Sequence, residues 1–464
     1  MSLFPTHPLY AHCLADWREY RLCYEGGKAY TNAYLHKHPK EPLKNFEQRL
    51  ERAIHPNHVR AVIDTYAAYL YKAPIARESE SETLSELWVN MNLLGAPANE
   101  FYEHVAQLVQ RGGRAAVVVD KLQPEDGAEL ATRAQELERG IRPYAYAVDT
   151  EDILNWRTGR DGRLEWIVLR ESEDHERGPM EHGNGARTEM ARVWFRDRWE
   201  LYKAKQSEEK GEQASIELVA QGEHPCGEVP VVLTFWGARS GHEIIGDSAV
   251  TDLAPMNRRL MNYVSLIDEQ AYQSTFSILA VPASTYDALE KVKFAPSGVI
   301  PYQDEVSSPP YYLSPDVNQI AQLRSEIDKT EASIRSLSGL GRMNADMGYA
   351  VASGVALSYV TMDKDALLSK FGGRMARMEA AVDRLAQKWM GVDVSASSRT
   401  YPTNFDPADL DNELSNALKV ASLELTGRAE QAVQAAALKA FLAPRVPQAE
   451  LEEILKDFRA QSGA

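Results

Sequence analysis

The sequence predicts an α+β fold from three observations: a helix–glycine–strand unit near residue 100, a strand-rich tract over 143–236, and three long helical patterns after Gly246. Its 464 residues are 44% hydrophobic and 25% charged, the composition of an ordinary globular protein with room for buried cores.

The first third alternates helix and strand. A helical stretch over 43–53 ends at Pro56-Asn57, where the asparagine offers an N-cap to a second helix, 58–72, that Pro74 stops. Val59, Val62, Ile63, Tyr66, Tyr69 and Leu70 recur at three- and four-residue spacing, so that helix buries one face. A helix over 99–110 runs into Gly112-Gly113 and then the apolar strand 115–120. Residues 121–140 are charged and turn-rich, and read as an exposed loop.

Strands are predicted at 144–148, 165–169, 191–195 and 229–235, with a turn cluster at Gly159-Arg160-Asp161-Gly162. The polar stretch 172–188 reads as a loop. Trp156, Trp166, Trp194, Trp199 and Trp236 fall in this tract and suit a packed sheet core.

After Gly246 the period lengthens. Val250, Leu253, Leu260, Val264 and Ile267 sit on a heptad spacing whose missing position is Asn257, and Pro255 limits where the helix starts or kinks it. A compact insert with five prolines, 277–314, follows. Ser314-Pro315-Asp316 then supplies an N-cap, a first-turn proline and an acid at the positive dipole end. Ile320, Leu323, Ile327, Thr330, Ile334 and Leu337 continue to Gly339, a helix about 36 Å long.

A third helix over 353–390 carries the seam Phe371, Met375, Met378, Val382, Leu385 and Trp389. Gly372-Gly373 interrupts it and predicts a kink, since each glycine lowers helix stability by about 1 kcal/mol relative to alanine. The Ala- and Leu-rich tail from 408 is predicted helical, with a last helix at 448–459 beyond Pro444 and Pro447.

The net charge is 51 − 67 = −16, which excludes a generally basic surface for gripping phosphate. Any contact with nucleic acid must be local, or a loose guidance. Cys13, Cys23 and Cys226 make neither a CxxC pair nor a framework and are read as free thiols of a reducing compartment. The first 22 residues carry Asp16, Arg18 and Glu19 without an apolar segment, so no signal peptide is expected. No stretch approaches the roughly 20 apolar residues of a membrane span.

The search for chemistry finds no P-loop, nucleophile elbow, zincin helix or Cys/His cluster. Gly339-Leu340-Gly341 begins like a dinucleotide turn but follows a helix and lacks the third glycine. His36, His38, His55 and His58 are read as surface histidines, because no carboxylate or cysteine completes a ligand set at recognised spacing. Asp64 is read as an ion-pair or cap partner, and Glu208-Glu209 and Glu452-Glu453 as solvated faces. No catalytic residue, metal or cofactor is expected. The seams over 250–267 and 320–337 suit packing on each other and on neighbouring copies, although a helical hairpin within a monomer would satisfy them too.

Several stretches, in order, resemble the portal (head–tail connector) proteins of tailed double-stranded DNA bacteriophages. The run Pro56 to Tyr66, closed by Lys72-Ala73-Pro74, is similar to the early portal helix. Arg111-Gly112-Gly113 before Val117-Val118-Val119 looks like the helix-to-strand step of the wing, and Tyr146 to Trp156 like the wing strand that follows. Ala352-Ser353-Gly354-Val355-Ala356-Leu357 is like the opening of the helix after the tunnel loop.

The resemblance implies a wing at 1–246, a first stem helix at 247–275, a small α/β clip at 276–314 and a second stem helix at 315–338. A tunnel loop at 339–352, a kinked helix and return strand at 353–407 and a helical crown at 408–464 complete it. It further implies a ring, usually of twelve subunits, at one capsid vertex of the virion, assembled in the host cytoplasm. DNA is packaged and ejected through such a ring, which docks the terminase large subunit and then a head–tail adaptor, beside major capsid and scaffold proteins.

In that frame Arg324, Lys329 and Arg335, balanced by Asp316, Glu326, Asp328 and Glu331, are candidates for a channel wall that DNA slides along. Arg342 and Asn344 are candidate phosphate contacts, Met343, Met347 and Tyr349 soft apolar bumpers, and Gly339, Gly341, Gly348, Gly372 and Gly373 candidate hinges. An intersubunit salt bridge is an equal alternative for Arg342. Two competing readings are a different head–tail adaptor or assembly protein, generally much shorter, and a cytosolic hydrolase with an unpatterned site.

Overall fold

The structure, a computed structural model, describes residues 3–122, 135, 139–174, 187–205, 215–237, 244–275, 278–283, 299–303, 309–313, 317–338, 354–402, 454 and 456–457. The chain divides into two units, one of residues 1–341 and 368–402, the other of 342–367 and 403–464.

The first unit opens with helices α1 (Pro8–Glu25), α2 (Gly27–Tyr34), α3 (Leu43–Arg52) and α4 (His58–Leu70). Asn57 caps α4 as its sequence suggests, accepting from the Arg60 amide at 2.8 Å. The face of α4 that turns inward carries Val59, Val62, Ile63, Tyr66 and Leu70. Strand β1 (Ala76–Ser79) and helix α5 (Glu82–Val89) lead to α6 (Ala98–Gly112), which ends at Gly113 in the left-handed region, φ 78°. A side chain at 113 would bring its Cβ to 2.2 Å from the Gly246 carbonyl oxygen, so only glycine fits this close crossing.

Beyond it β2 (Arg114–Lys121) is buried along nearly its whole length. It pairs antiparallel with β3 (Pro143–Val148) on one side, and on the other with β9 (Val231–Phe235), which is reached later in the chain. A continuous apolar strand is what a central position covered on both faces demands. A second, five-stranded antiparallel meander follows the order β4 (Ile153–Thr158), β5 (Leu164–Asp174), β6 (Arg187–Trp194), β7 (Arg198–Lys205), β8 (Ser215–Glu223).

The expected loop at 172–188 is corrected at its ends. The strands persist to Asp174 and resume at Arg187, which lie opposite each other. Polar residues hold a strand here because the ladder is backbone pairing and needs no apolar alternation. The tryptophans divide: Trp156 and Trp194 are buried, whereas Trp166, Trp199 and Trp236 are only partly covered.

Helix α7 (Leu253–Thr275) has Pro255 in its first turn, where a missing amide hydrogen costs nothing. Strands β10 (Ile278–Pro282), β11 (Val299–Tyr302) and β12 (Tyr311–Leu313) form a small sheet in which β10 is central, parallel to β11 and antiparallel to β12. Helix α8 (Val317–Leu337) packs back along α7. Helix α9 (Gly354–Trp389) runs unbroken through Gly372 and Gly373. Gly372 is a packing position: a Cβ there would meet Leu70 Cδ1 at 3.2 Å. Strand β13 (Ser397–Thr400) closes a two-stranded ribbon with β1.

Of the second unit, the described residues comprise the N-terminal part of α9 and positions 454, 456 and 457. The proposed crown at 408–464 otherwise lies outside the described residues, as do 284–298 and 304–308 of the insert and the cap Ser314-Pro315-Asp316. Among the described residues no helix is long and apolar enough to cross a membrane.

Candidate functional site

The feature with no counterpart in a simple α/β unit is the α7–sheet–α8 hairpin, and its base is fixed by polar side chains. Asn257, the gap in the heptad of α7, is fully buried. Its carbonyl oxygen accepts from the His58 amide at 3.1 Å, and its amide donates to His55 Nε2. A polar residue was required there because the N-terminus of α4 has an orphan donor to satisfy.

The ladder continues up α7. Asn262 accepts from the His36 amide at 2.8 Å and donates to the Tyr34 carbonyl at 3.2 Å. Buried Arg49 grips Glu41 through bonds of 2.9 and 2.8 Å and donates to Ser265 Oγ at 3.1 Å. That guanidinium holds the Glu41 carboxyl below its usual range. Arg258 pairs with Glu19 at 3.1 Å and Arg52 with Glu269. At the other foot, the Tyr66 hydroxyl donates to the Ser338 carbonyl at the end of α8, beside buried Thr330 and Ile334. The start of α7 and the end of α8 therefore both stand on α4, the two helices are antiparallel, and the small sheet lies at the end of the hairpin away from that footing.

The candidate channel residues Arg324, Lys329 and Arg335 are all exposed on α8. They do not form a cationic cluster. Lys329 reaches Glu326 at 2.9 Å, Arg335 reaches Glu331 at 3.7 Å, and Arg259 of α7 approaches Glu326 at 3.4 Å. Lys329 holds the Glu326 carboxyl below its ordinary value. Arg342, Met343, Asn344, Met347, Tyr349, Gly339, Gly341 and Gly348 lie outside the described residues.

The surface-histidine reading is corrected in part. His36 and His38 are exposed, but His55 and His58 are part-buried in the footing of the hairpin. Burial, reinforced by His58 and Arg60, lowers the His55 pKa to about 4, which keeps it neutral and able to accept from Asn257. Cys23 Sγ lies 3.8 Å from His55 Nε2, the approach a thiolate–imidazolium nucleophile would need. Burial instead pushes the Cys23 thiol up to about 12, so both partners stay uncharged and the pair is packing. None of the three cysteines forms a disulfide among the described residues. Among the described residues Asp64 is neither cap nor ion-pair partner: it accepts from the Tyr24 hydroxyl at 2.8 Å and from Gln107 at 3.2 Å. No group of three or more His, Cys, Asp or Glu is placed to hold a metal among the described residues.

Sequence reasoning missed three polar centres. Along α9, Glu379, Asp383 and Gln387 are buried at four-residue spacing. Glu379 meets Arg77, and Asp383 meets Arg399 at 2.9 Å while accepting from Trp88 and Ser397. Burial, partly offset by Arg399, raises the Asp383 pKa. The i, i+4 acids beside the Met375–Trp389 seam were the available signal. Arg114 is fully buried between the rings of Trp17 and Trp156, at 4.8 and 4.5 Å, and bonds to Thr150 Oγ1 at 3.0 Å. Burial lowers its pKa to about 9. Where the two larger sheets meet, Arg192 faces Asp120 and Glu171, and Arg170 faces Asp152.

No protein-family model matches the chain. No curated protein matches it either. Among solved structures it is similar to one described as the neck of a native GTA particle computed with C12 symmetry, at TM-score 0.39 and 11% identity, covering 88% of this chain and 98% of that one. It is also similar to the neck of an empty GTA particle computed with C6 symmetry, at TM-score 0.38 and 9% identity over 85% and 93%. A third is the virion of a native gene transfer agent particle, at TM-score 0.36 and 10% identity over 81% and 88%. These likenesses are faint, and no residue role is taken from them.

Proposed function

We propose that the chain is the portal subunit, or head–tail connector, of a tailed double-stranded DNA phage, with a structural rather than a catalytic role in the virion. The observation that carries this reading is the antiparallel α7/α8 hairpin, footed on α4 and carrying a small sheet between its helices, followed in the chain by the long helix α9. That order is the one the wing, stem, clip and kinked-helix resemblance calls for. The paired charges of α8 support a wall along which DNA slides, since an array of unpaired cations would hold phosphate and stall it. The small sheet then serves as the dock for the packaging motor and later the tail adaptor.

The test is the mass and shape of the purified full chain. Native mass spectrometry with negative-stain imaging should give rings with a central hole, most simply of twelve subunits. A chain that stays monomeric at high concentration overturns the proposal. In a packaging assay, replacing Arg342 should leave rings intact and reduce the DNA packaged or retained.

A further inference from the structure

Charge is sorted by face along α9. Between Leu368 and Trp389 its acids are Glu379 and Asp383, both buried and met by Arg77 and Arg399. The opposite face carries Lys370, Arg374, Arg377, Arg384 and Lys388 at steps of four, three, seven and four residues, one stripe about 27 Å long. Lys370, Arg377 and Arg384 are exposed, Arg374 and Lys388 are partly covered, and the small residues Gly373, Ala380 and Ala381 lie among them. In a chain with a net charge of −16, this face bears cations alone.

Among the described residues one carboxylate answers the stripe. Glu228 is shared by Arg384 at 3.1 Å and Lys388 at 2.7 Å. Lys370, Arg374 and Arg377 meet no carboxylate among the described residues, and the Arg374 guanidinium donates instead to the Trp236 carbonyl, which fixes its place. Burial, with the Arg377 charge adding to it, lowers the Arg374 pKa, as expected of two cations side by side without an acid. The contrast with α8 is direct, for there Lys329 and Arg335 each hold a glutamate of their own helix.

We propose that the Lys370–Lys388 stripe of α9 is a stationary binding site for the phosphate backbone of double-stranded DNA, separate from the sliding wall of α8. The choice of DNA as the polyanion rests on the portal reading. Along 27 Å the stripe passes about eight phosphates of each strand, more than enough for its five cations. Between Lys370 and Lys388 no large hydrophobic side chain is exposed, so the face lacks the apolar centre on which a protein partner is held. Cations and small residues alone suit a backbone gripped without regard to its bases. The unpaired charges that α8 avoids, because they would stall a moving duplex, are what a holding site needs.

The experiment measures fluorescence anisotropy of a labelled duplex of about 24 base pairs against the full chain over a range of salt concentrations. Lys370→Gln with Arg377→Gln, both exposed, should weaken binding at least about fivefold near 0.1 M salt and lower the slope of log affinity on log salt by about 2. Arg157→Gln with Arg163→Gln removes the same charge from exposed sites of the meander and should change affinity by less than about twofold. Glu228→Gln frees Arg384 and Lys388 and should strengthen binding. Thermal melting checks that each variant is folded. The site is overturned if the stripe variant binds as wild type does, if the meander variant loses as much, or if poly-glutamate at equal charge displaces the duplex, which would mark an acidic protein as the partner. Native mass spectrometry of the same samples reads the ring separately. Rings that ignore the duplex overturn the stripe and leave the portal reading standing, whereas a monomer that binds through the stripe does the reverse.

Discussion

Arg77 and Glu379 meet through two parallel bonds of 2.9 Å, Nε to Oε2 and Nη2 to Oε1, with side chains only 7% and 1% exposed. The pair joins β1 to α9 across 302 residues of sequence. Burial opposes the charge on Arg77, yet the carboxylate beside it holds its pKa above the ordinary arginine value. Removing one partner strands the other charge away from water. Glu379→Ala should therefore cost about 3–5 kcal/mol in denaturant unfolding, while Arg77→Met with Glu379→Leu should recover much of that loss. A single variant that unfolds at the wild-type midpoint would show that the pair contributes nothing.

That pair also shows where the sequence stopped being informative. The cap at Asn57, the run-in to Gly113, the buried strand from Ala115 and the seam Met375–Trp389 were readable because each depends on neighbours within a turn or a strand. Arg77 and Arg114 were not, because their partners lie far along the chain and an isolated arginine reads as solvated. Strands β7 and β8 escaped for a different reason: β8 is an edge strand with nearly every residue exposed, so it carries no inward–outward alternation. Asn257 was visible as a gap in a heptad, but the reason for the gap, a donor on α4 and a neutral His55, needed the fold.

His55 should make stability fall on mild acidification. Its folded pKa of about 4 lies below the ordinary histidine value of 6.5, so the unfolded chain binds the proton more readily. The contribution is complete above pH 6.5 and drains away as pH falls toward 4, by about 3 kcal/mol at most. Unfolding free energies measured from pH 7.5 to 4 should show this slope, and His55→Gln should flatten it. An unchanged slope in the variant would assign the acid sensitivity to other groups.

Asp152 should act with the opposite sign. Burial, partly offset by Arg170, raises its pKa from 3.8 to about 6, so its neutral form is the one the fold prefers. Stability from this group is complete below pH 3.8 and is lost as pH rises through 6. The side chain is 42% exposed, which leaves an effect of about 1 kcal/mol after solvent screening. Asp152→Asn should accordingly be more stable than wild type at pH 7.5 and equal to it at pH 4. A loss at pH 7.5 would show that the 3.3 Å pairing with Arg170 outweighs the burial.

Gly113 should tolerate no side chain. Its φ of 78° is strained for any other residue, and a Cβ would press on the Gly246 carbonyl, which belongs to the segment leading into α7. Gly113→Ala should cost on the order of 3 kcal/mol, combining the left-handed conformation with the displaced backbone. Differential scanning calorimetry reads the loss directly. A melting point within a degree of wild type would mean that the crossing can open without penalty.

The glycine pair in α9 separates packing from motion. Gly373 has open space, its nearest neighbour to an added Cβ being Arg377 Nη1 at 3.9 Å, whereas a Cβ on Gly372 would crowd Leu70 at 3.2 Å and Tyr401 at 3.4 Å. Gly373→Ala should stabilise the chain by about 1 kcal/mol, the helix propensity gained, while Gly372→Ala should gain less or lose. On the portal reading proposed above, a hinge role for Gly373 predicts an alanine variant that is more stable yet packages less DNA through rings of normal size. Equal packaging by the stabilised variant would show that α9 works as the unbroken helix seen here, and that of the two glycines only Gly372 is required, for its contact with Leu70 and Tyr401.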